Sequence, residues 1–274
     1  MGKMVKPLKA YNNMEFLNSN DGRVIRILSE YLEPKARFEK NKIVDTIVFF
    51  GSARITSRQQ ALKLLNIAKK EKSSASKKNF EKAVQQVEMS HYYEEAVELA
   101  KELTKWTMSL SEDKKRFMIC SGGGPGIMEA ANKGAKLAGG ESIGLNISIP
   151  FEQFVNKYVD QKLAFEFHYF FMRKLWFVDM AKALIAFPGG FGTMDELMEV
   201  LTLRQTNKVT KPLKVLLYGE SYWKEVLNFN AFVEKGMINQ DDLKLFDFAS
   251  NVDEAFEKIT THFKKYYFKN NKLK

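Results

Sequence analysis

The sequence predicts an α/β fold in which a parallel, doubly wound sheet carries helices on both faces, behind a helical N-terminal extension. Three observations predict it. From Phe117 onward, short apolar runs alternate with stretches of helical spacing, the pattern of strands joined by crossover helices. The apolar runs are rich in β-branched and aromatic residues, as strands buried on both faces are. Two glycine clusters each follow such a run and precede a helical stretch, where an open α/β sheet places its ligands.

Taken in order, the first forty or so residues hold one helical stretch, Val24 to Lys40, with Ile25, Leu28, Tyr31 and Leu32 at spacings of three and four. We assign residues 1–42 to this extension and 43–274 to the sheet domain. Ile43 to Phe50 reads as the buried first strand, running into Gly51-Ser52. A helical insert follows at about 57–110, with Leu62, Leu65 and Ala68, then Ala96, Leu99, Ala100 and Leu103, at helical spacing. The Lys- and Ser-rich stretch Lys69 to Lys82 within it reads as a solvated join. Then come strand Phe117–Cys120, helix Ile127–Ala138, strands Ser142–Ile147 and Leu163–His168, helix Met172–Met180, strand Ala183–Phe187, helix Met194–Gln205 and strand Leu213–Tyr218. Two further helices, Tyr222–Asn228 and Val252–Lys265, are expected to pack on the sheet.

Composition narrows the function. At 274 residues and 45% hydrophobic content, the chain fills the core of one large domain with appendages. No apolar stretch reaches the roughly 20 residues of a bilayer span, and the N-terminus lacks a signal-peptide apolar core, so a soluble, cytoplasmic protein is expected. Cys120 reads as a buried strand thiol, and His91, His168 and His262 lack metal-ligand spacing, so no metal site is expected. The net charge of +10 is spread along the chain, apart from a tail with Lys264, Lys265, Lys269, Lys272 and Lys274. Without an arginine-rich block, nucleic acid is not the expected partner, whereas a small anionic ligand fits.

The first glycine loop, Ser121-Gly122-Gly123-Gly124-Pro125-Gly126, runs into Ile127-Met128-Glu129; the second, Pro188-Gly189-Gly190-Phe191-Gly192-Thr193, runs into Met194-Asp195-Glu196. Glycine lets the main chain turn tightly and approach an anion, and the N–H groups of a following helix complete a phosphate site. Neither loop matches the dinucleotide fingerprint or a Walker A loop. Thr193 and Glu196 also have the spacing of a capping box, a role compatible with a ligand-facing carboxylate. Met172-Arg173-Lys174 opens the preceding helix, after the aromatic run Phe167–Phe171, where an arginine fork suits an anion.

The stretch Pro188 to Glu196 matches every fixed position of the PGGxGTxxE signature of the LOG ("lonely guy") family, once widely labelled "possible lysine decarboxylase". Gly122 to Asn132 resembles that family's upstream glycine segment, and Arg173-Lys174 stands where the family carries its functional arginine and neighbouring lysine. The resemblance spans about residues 43–220. It implies a Rossmann-like fold and hydrolysis of the N-glycosidic bond of a nucleoside 5′-monophosphate, of purine or cytokinin type, to free base and ribose 5-phosphate, without a cofactor. It implies Arg173 and Glu196 as the catalytic pair. The nucleotide and its phosphate are expected on Gly51, Ser52, Gly122, Gly123, Gly124, Glu129, Met172, Lys174, Pro188, Gly189, Gly190, Gly192, Thr193 and Asp195. The resemblance further implies a homodimer or a larger even homo-oligomer with the site near the subunit interface.

Decarboxylation of lysine requires a lysine bound to pyridoxal phosphate. The usual His-Lys setting is absent, and that reading is rejected. The alternatives are a non-catalytic carrier or sensor of a nucleotide or molybdenum cofactor, against which intact Arg173 and Glu196 argue, and a nucleic-acid binder, which predicts affinity that falls steeply with salt. The aromatic run Phe165 to Phe171 either stacks a base or fills the core.

Overall fold

The computed structural model describes residues 6–70, 76–110, 115–149, 154–269 and 272–273. Two N-terminal helices, α1 (Met14–Asn18) and α2 (Arg23–Lys40), precede β1 (Thr46–Phe50), α3 (Arg58–Lys70) and the 33-residue α4 (Ser76–Met108). Next come β2 (Met118–Ser121), α5 (Ile127–Leu137), β3 (Ile143–Ile147), β4 (Ala164–Phe167), α6 (Phe170–Met180), β5 (Ala181–Ala186), α7 (Phe191–Gln205) and β6 (Lys214–Tyr218). The chain closes with α8 (Glu220–Val226), α9 (Phe229–Glu234), β7 (Asp247–Ala249), α10 (Val252–Tyr267) and a small antiparallel pair, β8 (Phe268–Lys269) with β9 (Lys272–Leu273).

Strands β1 to β7 form one sheet in the order β4-β3-β2-β1-β5-β6-β7, every pairing parallel. Successive side chains of a strand leave the sheet on opposite faces, and the core divides accordingly. Ile47, Phe49, Ala183, Ile185, Leu216 and Tyr218 join one apolar cluster with α4, α5 and α10. Val48, Phe50, Leu184, Ala186, Val215 and Leu217 join the other, with Phe38 of α2, Trp176 of α6, Leu197 of α7 and Trp223 of α8. This is the doubly wound, Rossmann-like architecture expected. Strand order reverses between β1 and β5, so the carboxyl ends of those strands diverge into the crevice where such sheets bind ligands.

Several expected boundaries move, each for a local reason. Pairing of β1 begins at Thr46, while Ile43 makes only an isolated bridge with Lys115. The solvated join expected over 69–82 is helical at Lys69–Lys70 and from Ser76 to Lys82, with 71–75 outside the described residues; lysine is a good helix former whose charge only requires solvent. Helices α6 and α7 start two and three residues earlier than expected, because Phe170 and the Phe191-Gly192-Thr193 segment are already wound. The short edge strand β7 and helix α9 went unpredicted. Lys274 of the basic tail lies outside the described residues.

The first glycine loop is held by a buried polar network. Asn132 of α5 accepts from Ser121 Oγ at 2.7 Å and from Asn156 Nδ2 at 2.9 Å, and donates to Ser142 Oγ at 3.0 Å. Asn156 Nδ2 also donates to the Gly123 and Gly124 carbonyls at 3.0 and 3.1 Å. Asn132, Ser121 and Ser142 are fully or almost fully buried, so removing one partner strands the others without water. Asn132→Ala is therefore expected to lower the unfolding free energy by about 2–3 kcal/mol, read as a lower denaturant midpoint at unchanged slope. A loss within about 0.5 kcal/mol would mean that water replaces the amide.

Candidate active site

Main-chain hydrogen bonds draw three loops to the switch point. Phe187 N donates to Phe50 O at 2.8 Å, Ser52 N to Pro188 O at 3.0 Å, and Ile127 N to Ser52 O at 3.1 Å. Glycine is required where these backbones cross. A Cβ on Gly51 would lie 2.7 Å from the Ile127 side chain, and Gly126, at φ +70°, would press a Cβ to 2.3 Å from Ser52 O. Buried Trp223 adds a clamp, its indole N–H shared between Ala186 O and Tyr218 O at 3.0 and 3.1 Å.

Beyond these loops opens a cleft of about 1110 Å³. Of the residues expected to form the site, Gly51, Ser52, Gly122, Arg173, Pro188, Gly189, Gly190, Gly192, Thr193, Asp195 and Glu196 line it. Gly123, Gly124, Glu129, Met172 and Lys174 are not in its lining, and each has another occupation. The carbonyls of Gly123 and Gly124 are held by Asn156. Glu129 Oε1 accepts from Tyr93 of α4 at 2.9 Å, and Met172 belongs to the core. Lys174 pairs with Asp195 at 2.7 Å and Glu199 at 3.0 Å, tying α6 to α7. Burial pulls the Lys174 ammonium down, but its bonds to Asp195 and Glu199 outweigh that, and the group is held above the ordinary lysine value.

The second loop is built differently from the first. Helix α7 starts at Phe191 with Gly190 as its N-cap, and no side chain caps it. The capping box expected of Thr193 and Glu196 is therefore not formed, since both residues lie inside the helix. Thr193 instead tucks under the loop, so close that a Cβ on Gly189 would come within 2.1 Å of its hydroxyl. Tyr222 of α8 donates its hydroxyl to Gly189 O at 2.8 Å. At Gly190 and Gly192, by contrast, a Cβ would meet nothing within 4 Å, and Gly190 has a negative φ of −94°. The protein itself gives no steric reason for either glycine, and Gly192 costs about 1 kcal/mol of helix propensity.

One turn further along α7, Glu196 is buried and faces Arg173 of α6, with Nη2 3.4 Å from Oε1. The guanidinium lies 5.2 Å from the Phe177 ring centroid and 5.8 Å from that of Phe170. Gly122 leaves room for this, since an added Cβ would strike Met128 Sδ at 2.6 Å with Arg173 Nη2 only 3.8 Å away. Burial pushes the Glu196 carboxyl up to about 7, against the pull of Arg173 and Lys174 and with a push from Glu199 and Asp195. A carboxyl poised near neutrality in a cleft, beside a fixed cation, is the signature of an acid–base or charge-stabilising centre.

The run Phe165 to Phe171 divides between the core and the cleft. Phe165, Phe167 and Tyr169 are buried in the core, whereas Phe170 is half-exposed and lines the cleft. The wall formed by Arg54, Ile55 and the α4 residues Lys82, Gln85, Gln86 and Met89 escaped the sequence reading, because nothing in a helical period marks which turn of a long helix meets a distant loop. Cys120 is buried. Among the described residues, no cluster of three or more metal-ligating side chains occurs, and no helix is long and apolar enough to cross a membrane.

Fold and site together define a Rossmann-like protein with a glycine loop at a helix N-terminus and a buried glutamate facing a partly buried arginine. The family model described as "Possible lysine decarboxylase" matches residues 128–259. A curated relative named "Probable cytokinin riboside 5'-monophosphate phosphoribohydrolase LOG4", from Oryza sativa subsp. japonica, is 29% identical over 168 residues, covering 60% of this chain and 68% of its own. The Arabidopsis thaliana cytokinin riboside 5'-monophosphate phosphoribohydrolase LOG7 is 27% identical over 171 residues, covering 61% and 73%. Over these stretches the chain is similar to the LOG family. A molybdenum cofactor carrier protein from Chlamydomonas reinhardtii superposes with a TM-score of 0.46 at 18% identity, over 80% of this chain and 98% of that one, a likeness too distant to bear on ligand or chemistry.

The raised Glu196 value has a consequence for stability. Between about pH 4.5 and pH 7 the folded state holds a proton that the unfolded chain has released, so this contribution is full at acid pH and lost as pH rises through 7. Glutamine at 196 does not titrate. Relative to the parent, Glu196→Gln should gain about 3 kcal/mol in unfolding free energy between pH 4.5 and pH 8, followed by denaturant melts across that range. A difference that stays constant with pH would place the Glu196 titration outside this window.

Proposed function

We propose that this protein hydrolyses the N-glycosidic bond of a nucleoside 5′-monophosphate, releasing the free base and ribose 5-phosphate, with Arg173 and Glu196 as the catalytic pair. The observation that carries the reading is the placement of that pair, 3.4 Å apart, in the same cleft as the uncapped start of α7. The names of the curated relatives support it, and they point to cytokinin riboside 5′-monophosphates as one substrate class beside AMP-like purine nucleotides. A cleft of about 1110 Å³ accommodates either, since ligand pockets generally span roughly 300–1,000 Å³.

The chemistry follows from where charge develops. The phosphate sits on the first-turn N–H groups of α7, where Gly190 and Gly192 leave the approach open. Binding there fixes the ribose over Glu196, one turn into the same helix. Breaking the bond from C1′ to the base nitrogen leaves its electron pair on the base and builds positive charge on the ribose. The Glu196 carboxylate stabilises that charge and orients the attacking water, whose oxygen bonds to C1′; the proton that the water releases ends on the base nitrogen that received the electron pair, while Arg173 presents donors toward the departing base. The ionised form does this work, so kcat/KM should rise with pH to a plateau, with an enzyme midpoint near 7 distinct from the substrate phosphate near 6.

Chromatography of AMP, GMP, CMP, UMP and isopentenyladenosine monophosphate after incubation tests the reading. The parent protein should release base from at least one of them, and Glu196→Gln should be slower by about 10²–10³-fold, the scale of losing one transition-state contact. Nucleotide bound intact and recovered unchanged would instead identify a carrier.

A second variant addresses the open glycine. Gly192→Ala meets no protein atom and improves helix propensity, so melting should be unchanged or raised by up to about 1 kcal/mol. Its affinity for ribose 5-phosphate, measured by calorimetry, should nevertheless fall at least tenfold. Retained affinity would remove the first turn of α7 as the phosphate site.

A further inference from the structure

Helix α6 carries Arg173, yet its start has no cap of its own. Tyr169 is the N-cap residue and no side chain within the helix end accepts from the first turn. Between β4 and α6 lie only His168 and Tyr169, and their N–H groups are taken by a residue far away in sequence. His168 N donates to Glu30 Oε1 at 2.8 Å and Tyr169 N to Glu30 Oε2 at 3.2 Å. Each carboxylate oxygen therefore holds one peptide N–H, and a negative charge stands at the positive end of α6, both favourable. Glu30 also grips the helix further along, where Trp176 Nε1 donates to its backbone carbonyl at 3.0 Å.

Arg173 lies between these two anchors. Its own N–H donates to Tyr169 O at 3.2 Å, one turn after the clamped pair and one turn before Trp176, on a span of about 10 Å of helix. Neighbouring contacts of α2 stiffen the same join. Tyr31 stacks on Trp176 at 5.6 Å between centroids, Phe38 packs against Trp176 at 5.3 Å, and the Arg23 guanidinium lies 5.8 Å from the Tyr169 ring centroid. At 3.4 Å the Arg173–Glu196 contact is at the long end of an ion-paired hydrogen bond, so a small slide of α6 decides whether it is made.

We propose that Glu30 of the N-terminal helix is a positioning residue, whose carboxylate and carbonyl fix α6 so that Arg173 meets Glu196. The inference uses the Arg173–Glu196 site of the proposed function but concerns its geometry rather than its substrate. It gives α2 a task that its place outside the sheet does not disclose. Loosening the clamp displaces a guanidinium by a fraction of an ångström, enough to cost about tenfold in a reaction that depends on it.

Two readouts test this in the full chain. The first is a double-mutant cycle. Glu30→Ala should lower kcat/KM about tenfold in the parent background and by less than about twofold in an Arg173→Ala background; equal losses in both would overturn the proposal. The second needs no substrate and survives a failure of the hydrolase reading. Glu196 is titrated by carbon-13 carboxyl NMR in the parent, in Glu30→Gln, which keeps one acceptor oxygen, and in Glu30→Ala. Withdrawal of Arg173 should raise the Glu196 midpoint, more for alanine than for glutamine, whereas mere removal of the Glu30 charge would lower it. A midpoint unmoved or lowered in the folded Gln variant overturns the proposal, including the case where Glu30→Ala fails to fold.

Discussion

The site depends on three consecutive main-chain hydrogen bonds, Phe187 N to Phe50 O, Ser52 N to Pro188 O and Ile127 N to Ser52 O. They join the loop after β1 to the loop after β5 on one side and to the start of α5 on the other. Because β1 and β5 are neighbours whose crossovers leave in opposite directions, these bonds continue the pairing of the two strands past Phe50 and Ala186 into the loops. The close crossing demands Gly51 and Gly126, where a side chain would collide with Ile127 or Ser52. It also spends the first N–H of α5 on Ser52 O. Neither α5 nor α7 has a side-chain cap, but the first N–H of α5 is taken by Ser52 O, and of the first loop's glycines Gly122 alone lines the cleft, beside Gly189, Gly190 and Gly192 of the second.

That asymmetry marks the limit of what the sequence disclosed. The alternation of apolar runs and helical stretches was legible because β1, β2 and β3 are buried on both faces and β5 and β6 nearly so, and the period changes sharply at each turn. The edge strand β7, three residues long and partly exposed, carries no such signal. The signature Pro188 to Glu196 located the second loop and its carboxylate, and Arg173 followed from its place beside that loop. The first loop looked equivalent in sequence. Its occupation by Asn132 and Asn156 depends on side chains 8 or more residues downstream, and amides folding back on a glycine turn leave no spacing rule. Glu129 and Lys174 were expected in the site because they fall in the segments that resemble the family's. In three dimensions one faces Tyr93 and the other bridges to Asp195 and Glu199.

The electrostatics of the cleft result from unequal burial of like charges. Three carboxylates follow one another on α7. Asp195 and Glu199 are served by Lys174, whereas Glu196, on the inner side, is left with a longer contact to Arg173. Burial holds the inner carboxyl high, near neutrality, against the pull of Arg173 and Lys174. An arginine bonded more closely would hold Glu196 ionised and satisfied, with little left to offer a ligand.

The glycines of the second loop separate two kinds of constraint. Gly189 answers to the fold, because Thr193 occupies the space its side chain would need. Gly190 and Gly192 answer to nothing in the protein, yet one sits in the first turn of a helix that an alanine would stabilise. A residue that weakens the free chain without easing any internal contact is best explained by something absent from that chain that must come close. In the proposed function that partner is the substrate phosphate, held at the uncapped N–H groups, with the reacting bond over the buried carboxyl one turn away. The identity of the base is left to the opposite wall, where the α4 side chains Gln85, Gln86 and Met89 face the cleft and no signature constrains them.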